Sequence, residues 1–128
     1  MTESHRDAPI VRRAVFAVES DTRRQVLEVL WYIEHRHHWI DPDMFAIELA
    51  DVATLKRIFG DGEEEPSPTI SVTGDQMFAL ETCVMAADTY AHRRGERALC
   101  ALTDDELDAV GRWVAQAQRW FITRSPKD

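Results

Sequence analysis

Apolar residues recur at helical spacing in four segments of the chain, and each segment predicts one α-helix. The first predicted helix starts at a cap provided by Ser20 or Asp21 and runs to about His38. Its inward stripe is predicted to consist of Val26, Val29, Leu30, Ile33 and His37.

The second predicted helix begins at Asp41-Pro42, because an aspartate caps a helix well and a proline loses nothing at the first helical position. It ends at Phe59, where Gly60 supplies the stop. Its inward stripe is predicted to be Phe45, Leu49, Val52, Leu55 and Phe59. Since this stripe continues without a break, one helix explains the segment better than the two helices of a helix-turn-helix unit.

The third and fourth predicted helices each begin with a capping box. Thr73 and Gln76 start the third, and Thr103 and Glu106 start the fourth. The third helix is expected to end at Gly95 and the fourth at about Thr123. Their inward stripes are predicted to be Met77, Leu80, Val84, Ala87 and Ala91, and Leu107, Val110, Val114, Ala117 and Phe121.

Two further segments leave the fold class open. Residues 10–18 fit a short helix by spacing and a strand by β-branched content, and residues 60–73 form a loop with an extended piece at 70–72. We predict an all-α fold, a single-domain helical bundle of four main helices. The alternative is an α+β fold in which 10–18 and 69–73 pair as two strands. The predicted limits are a flexible N-terminus at 1–9, the helical domain at 10–124 and a tail at 125–128.

Composition and charge narrow the functional classes. The 128 residues carry a formal net charge of −8, which repels phosphate backbones and anionic lipid surfaces, so neither nucleic acid nor membrane is an expected partner. No apolar run reaches the roughly 20 residues of a membrane span, and the N-terminal sequence is too polar for a signal peptide. Cys83 and Cys100 show no metal or redox spacing and are interpreted as free thiols. We therefore expect a cytoplasmic protein.

The densest polar cluster, residues 34–41, offers a candidate metal site. Glu34 and His37 have the spacing by which helical bundles hold carboxylate-bridged metals, and Asp88 and His92 on the third helix are the nearest complement. Such a site needs a second Glu-x-x-His pair, which the chain lacks. The favoured interpretation is that these histidines complement the dipole at a helix C-terminus, and no metal or other cofactor is expected.

Two tryptophans form a ridge on the fourth predicted helix. Trp113 and Trp120 lie about 90° to 110° from its core stripe, and Gln116 extends the ridge. Trp31 likewise lies off the stripe of the first helix. Tryptophan is enriched at interface hot spots, so the ridge is a candidate protein-binding or homodimer face. The alternative is that another part of the chain, such as the segment before the first helix, covers it.

We therefore expect a small acidic, non-catalytic protein that binds another protein, as a bacterial inhibitor, immunity protein, antitoxin-like partner or adaptor. Its charge suits a basic partner through electrostatic steering, and a homodimer is the other association considered. Two alternatives remain. One is a metal- or small-ligand-binding helical-bundle enzyme; the other is a transcriptional regulator that uses Lys56 and Arg57, or arginines at 12, 13, 23 and 24, to contact nucleic acid.

Overall fold

Two short strands and four α-helices make up the part of the chain that the computed structural model describes, residues 12–93 and 100–123. In chain order they are β1 (Arg13–Ala17), α1 (Ser20–Arg36), α2 (Leu49–Ile58), β2 (Thr69–Thr73), α3 (Gly74–Ala87) and α4 (Asp104–Thr123). A 3-10 turn, His37–Trp39, follows α1, and a π-helical segment, Asp88–Arg93, follows α3. The predicted flexible N-terminus at 1–9 and the tail at 125–128 lie outside the described residues.

The two strands form an antiparallel sheet, in which Ala14 pairs with Val72 and Phe16 with Ile70. Ala14, Val72 and Ile70 are buried, whereas Val15 points to solvent. The mostly helical class is confirmed, but the all-α prediction is corrected to the α+β alternative. A helix of nine residues is marginal by itself, whereas β2 gives this segment a backbone partner and a buried face.

The core forms where the four described α-helices pack together. The predicted stripe of α1 is confirmed at Val26, Val29, Leu30 and Ile33, which are all fully buried. His37 is the exception, since α1 ends at Arg36 and His37 begins the 3-10 turn. The stripes of α3 and α4 are also buried, from Met77 to Ala87 and from Leu107 to Ala117.

The second helix begins eight residues later than Asp41, at Leu49, and this prediction was wrong. The Asp41 side chain accepts a hydrogen bond from the Asp43 N–H at 2.9 Å, and its carbonyl accepts from the N–H groups of Met44 and Phe45. Asp41 therefore closes a local turn, as a short polar side chain does in competition with a helix. Leu49, predicted to face inward, is exposed at the start of α2.

Local side-chain chemistry fixes the starts of α3 and α4 as predicted. Thr73 and Gln76 form a complete capping box, and Thr103 and Glu106 exchange the same two hydrogen bonds. The cap of α1 was predicted wrongly: Glu19 occupies it, without a side-chain hydrogen bond.

The third helix changes character after Ala87 instead of continuing as an α-helix to Gly95. Its next six residues, Asp88–Arg93, are π-helical, and both Tyr90 and Ala91 are buried there. A π-turn shifts the register by one residue, so two adjacent positions face the core. The Tyr90 hydroxyl accepts a hydrogen bond from the Asp41 N–H at 3.0 Å, which ties this segment to the turn before α2.

Arg23 of α1 is a buried cation that holds the loop between α2 and β2. Its guanidinium donates to the carbonyl oxygens of Phe59, at 2.5 Å, and Ser67. Gly60 lies between these two contacts with a positive φ of 77°, and a Cβ there would stand 2.7 Å from the Cβ of Pro66. Glycine is therefore required at this position on both backbone and steric grounds.

We expect Arg23→Met to lower the free energy of unfolding by about 3 kcal/mol, because the buried Phe59 carbonyl and the part-buried Ser67 carbonyl would lose a charged donor. Urea unfolding followed by circular dichroism measures this. The control is Arg57→Met, at an exposed arginine of α2, which should change stability by less than about 0.5 kcal/mol. Equal effects of the two substitutions would contradict the role assigned to Arg23.

The cap of α4 should make stability depend on pH. The Thr103 backbone N–H, and then the Arg24 side chain, hold the pKa of Glu106 below its usual range. The ionised carboxylate therefore stabilises the folded state above the unfolded pKa of about 4.3, and this contribution is lost as pH falls through the folded pKa. Wild type should exceed Glu106→Gln in stability at pH 7, and the difference should shrink as pH falls below about 4.3 and disappear once pH is below the folded pKa. Denaturant titrations at several pH values test this, with Glu65→Gln in the exposed loop as the control. A difference that persists unchanged in acid would contradict it.

Candidate functional site

An exposed aromatic surface lies at the C-terminal end of α1. The rings of Trp31 and His35 stack with their centroids 4.1 Å apart, and Trp39 lies 5.3 Å from the ring of His38. The guanidinium of Arg36 stands over the Trp39 ring at 5.6 Å. The two tryptophans remain 47% and 64% exposed. We call Trp31, His35, His38 and Trp39 the α1 aromatic surface.

The change from α-helix to 3-10 turn creates this surface. His37 turns inward, and its Nε2 lies 2.6 Å from the carbonyl oxygen of Ile47, whereas His38 and Trp39 turn outward. The following turn exposes Met44, and α2 then begins with exposed Leu49. A cavity of about 350 Å³ lies just after the end of α1. It is lined by His37, His38, Ile40, Pro42, Phe45 and Ile47. The chain thus presents several large apolar side chains within one stretch, residues 31–49.

Two of the four metal-site candidates, Glu34 and His37, engage other partners. Glu34 accepts a hydrogen bond from Lys56 at 2.9 Å, which raises the pKa of Lys56 and joins α1 to α2. His37 is held by the Ile47 carbonyl, as given above. Asp88 starts the π-helical segment, and the side chain of His92 lies outside the described residues. Within residues 12–93 and 100–123, no three His, Cys, Asp or Glu side chains converge as metal ligands would.

The tryptophan ridge of α4 packs against β1. The Phe16 ring lies 6.2 Å from the rings of both Trp113 and Trp120, and Trp113 also contacts Phe59 at 6.2 Å. Both indoles are only partly exposed, and Gln116 between them is exposed. The strand therefore covers part of the ridge, as the sequence alternative described.

The two cysteines are buried thiols. Burial raises the pKa of Cys83 to about 12, and burial also raises the pKa of Cys100. Because the thiolate is the reactive form, neither side chain has the environment of a catalytic nucleophile. Both act as packing residues, as expected from their spacing.

Most of the basic residues considered for nucleic-acid contact have partners within the protein. Arg23 is buried, Arg24 pairs with Glu106 at 2.7 Å, and Lys56 pairs with Glu34. Arg12 stands over the Trp120 ring at 5.7 Å, and Arg13 donates to Ser71. Most of these cations are thus engaged with the protein's own groups.

No helix within the described residues is both long and apolar enough to cross a membrane.

Sequence reasoning missed several exposed apolar residues. Trp39 lay inside the predicted polar cluster, and Met44 lay inside a predicted helix. Phe78 and Met85 were not singled out, although both lie off the α3 core stripe and are seven residues apart. That spacing places them on one helical face and was the available signal.

No protein-family model matches this chain, and neither the curated proteins nor the solved structures include a significant match to it.

Removing the Phe16 ring should uncover the ridge. We expect Phe16→Ala to cost about 2 kcal/mol and to shift tryptophan emission to the red, because Trp113 and Trp120 would gain contact with water. Val15→Ala, one residue away on the solvent face of β1, is the matched control and should leave both properties almost unchanged. If Phe16→Ala alters neither stability nor emission, β1 does not cover the tryptophans.

Proposed function

We propose that this chain is a small acidic, non-catalytic protein that binds another protein through the α1 aromatic surface. The supporting observation is the exposure of Trp31 and Trp39, whose rings contact His35, His38 and Arg36. Leaving two indoles in water forgoes a large hydrophobic gain, and tryptophan is the residue type most enriched at binding hot spots. These contacts also orient the rings before a partner arrives, which lowers the entropy cost of binding.

The charge around this surface favours a basic partner. The turn that exposes Met44 carries Asp41 and Asp43, and Glu48 precedes α2; all three carboxylates are exposed. With a chain net charge of −8, a cationic partner would be attracted at long range and would meet these carboxylates beside the tryptophans. We therefore propose Trp31, Trp39 and Met44 as apolar contacts and the three carboxylates as polar contacts.

The contact residues predicted on α4 contribute less exposed surface to this proposal than the α1 aromatic surface does. Trp113 and Trp120 contribute only their uncovered edges, together with exposed Gln116. Since Glu34 and His37 are engaged elsewhere, the metal-enzyme alternative has less support than protein binding. We also propose that the protein works in a reducing compartment such as the cytoplasm, because Cys83 and Cys100 are free thiols.

The test is affinity isolation from the lysate of the source organism with three versions of the chain. Wild type should retain a stoichiometric protein companion, and the double variant Trp31→Ala, Trp39→Ala should weaken that association by at least roughly thirtyfold, since one hot-spot truncation alone costs about 2 kcal/mol or more. Val15→Ala, which removes an exposed apolar side chain from β1, should retain the companion.

Circular dichroism of each variant verifies that the fold persists. A folded double variant that keeps full affinity contradicts the α1 aromatic surface as the binding site. A wild-type chain that isolates alone from its native lysate contradicts protein binding itself.

A further inference from the structure

A second apolar face lies on the outer side of the α3–α4 pair. Phe78 and Met85 are two helical turns apart on α3 and are 61% and 54% exposed. Ile122, near the end of α4, is 69% exposed. Single exposed apolar residues are ordinary, but two exposed side chains of this size on one helical face, Phe78 and Met85, mark a candidate interaction site.

A groove of about 340 Å³ runs between the helices beside Met85. Its apolar lining includes the buried side chains of Val84 and Leu107, and Gly111 and Ala115 line its α4 side. A Cβ on Gly111 would make an ordinary van der Waals contact with Val84 at 3.8 Å, and without it Gly111 adds no side chain to the groove. The exposed, apolar Met85 side chain thus lies next to an apolar recess on the same face.

The rim of the groove carries one negative and one positive side chain on α4. Asp108 and Arg112 both line it, are both exposed and are one turn apart. Asp88 lies on the α3 side and already has a partner within the chain. The rim therefore carries two carboxylates and one guanidinium, and Asp108 and Arg112 provide one charge of each sign that a second copy can match.

We propose that the α3–α4 face binds a second copy of this chain around a two-fold axis. In a two-fold contact the same surface of both copies is used. If one residue of the first copy contacts a second residue of the other copy, the reverse contact also forms, so one face must carry both residues of every contact. This face does so: Met85 is the projection and the recess beside Gly111 receives it, while Asp108 of each copy faces Arg112 of the other. Methionine suits this role because its flexible side chain fills irregular recesses.

Charge exchange between the two copies tests this geometry. Asp108→Arg places two like-charged pairs across the axis, and so does Arg112→Asp. Each variant by itself should therefore have a dimer dissociation constant at least about tenfold above wild type. An equimolar mixture should regain dimer, because one chain then presents two cations and the other two anions. Sedimentation velocity measures the mass, with wild type expected at twice the 14.7 kDa of the chain.

Two further variants provide an apolar test and a control. Met85→Glu should abolish the dimer, since a carboxylate would enter the apolar recess. The double variant Trp31→Ala, Trp39→Ala should leave the dimer intact because it alters a different surface. Asp108, Arg112 and Met85 are exposed, so these variants should retain the helical circular dichroism spectrum.

Wild type that sediments as a monomer at every attainable concentration overturns the proposal. A wild-type dimer that survives both charge reversals, or whose two folded charge variants fail to restore it when mixed, also overturns it. These outcomes are independent of the lysate experiment, which depends on Trp31 and Trp39.

Discussion

The buried guanidinium of Arg23 is the interaction on which the rest of the structure depends. It ties α1 to the carbonyl oxygens at both ends of the loop between α2 and β2. That loop sets where β2 starts, and β2 is the backbone partner of β1. A cation removed from water must have its donors satisfied, so the loop has little freedom to adopt another path. One side chain on the first helix thereby positions the sheet.

The sheet in turn decides which aromatic residues are available to other molecules. Phe16 on β1 lies against both tryptophans of α4, which adds them to the internal packing. The end of α1 has no comparable cover within the described chain, because the 3-10 turn directs Trp39 outward and Trp31 stacks only on His35. The two pairs of tryptophans thus differ in their cover because, among the residues described, β1 contacts the α4 pair and does not contact Trp31 or Trp39.

The sequence predicted the features that depend on near neighbours. Both capping boxes and most of the inward stripes of α1, α3 and α4 need only residues three or four positions apart, and these were confirmed, with His37 and the partly buried Phe121 as the exceptions. Features set by distant residues or by competing local bonds were not decided by the sequence, from which the pairing of the two strands followed only as an alternative. The Asp41 turn uses the same side chain as a helix cap would, and the pairing of Phe16 with Ile70 joins distant parts of the chain. Within the candidate site, Trp31 followed from helical spacing, whereas Trp39 required knowledge of where α1 ends.

The distance along the chain between the two strands has a consequence for the order of folding. Pairing β1 with β2 closes a loop that contains all of α1 and α2, and the entropy of that closure is lost before any strand contact compensates it. The helices form from local contacts, so we expect them to assemble first and β1 to dock last. During synthesis β1 is made before β2 and before the tryptophans of α4, so it cannot pack until both of those segments have emerged. We therefore expect β1 to be the last of the described elements to join the fold, although it precedes the others in the chain.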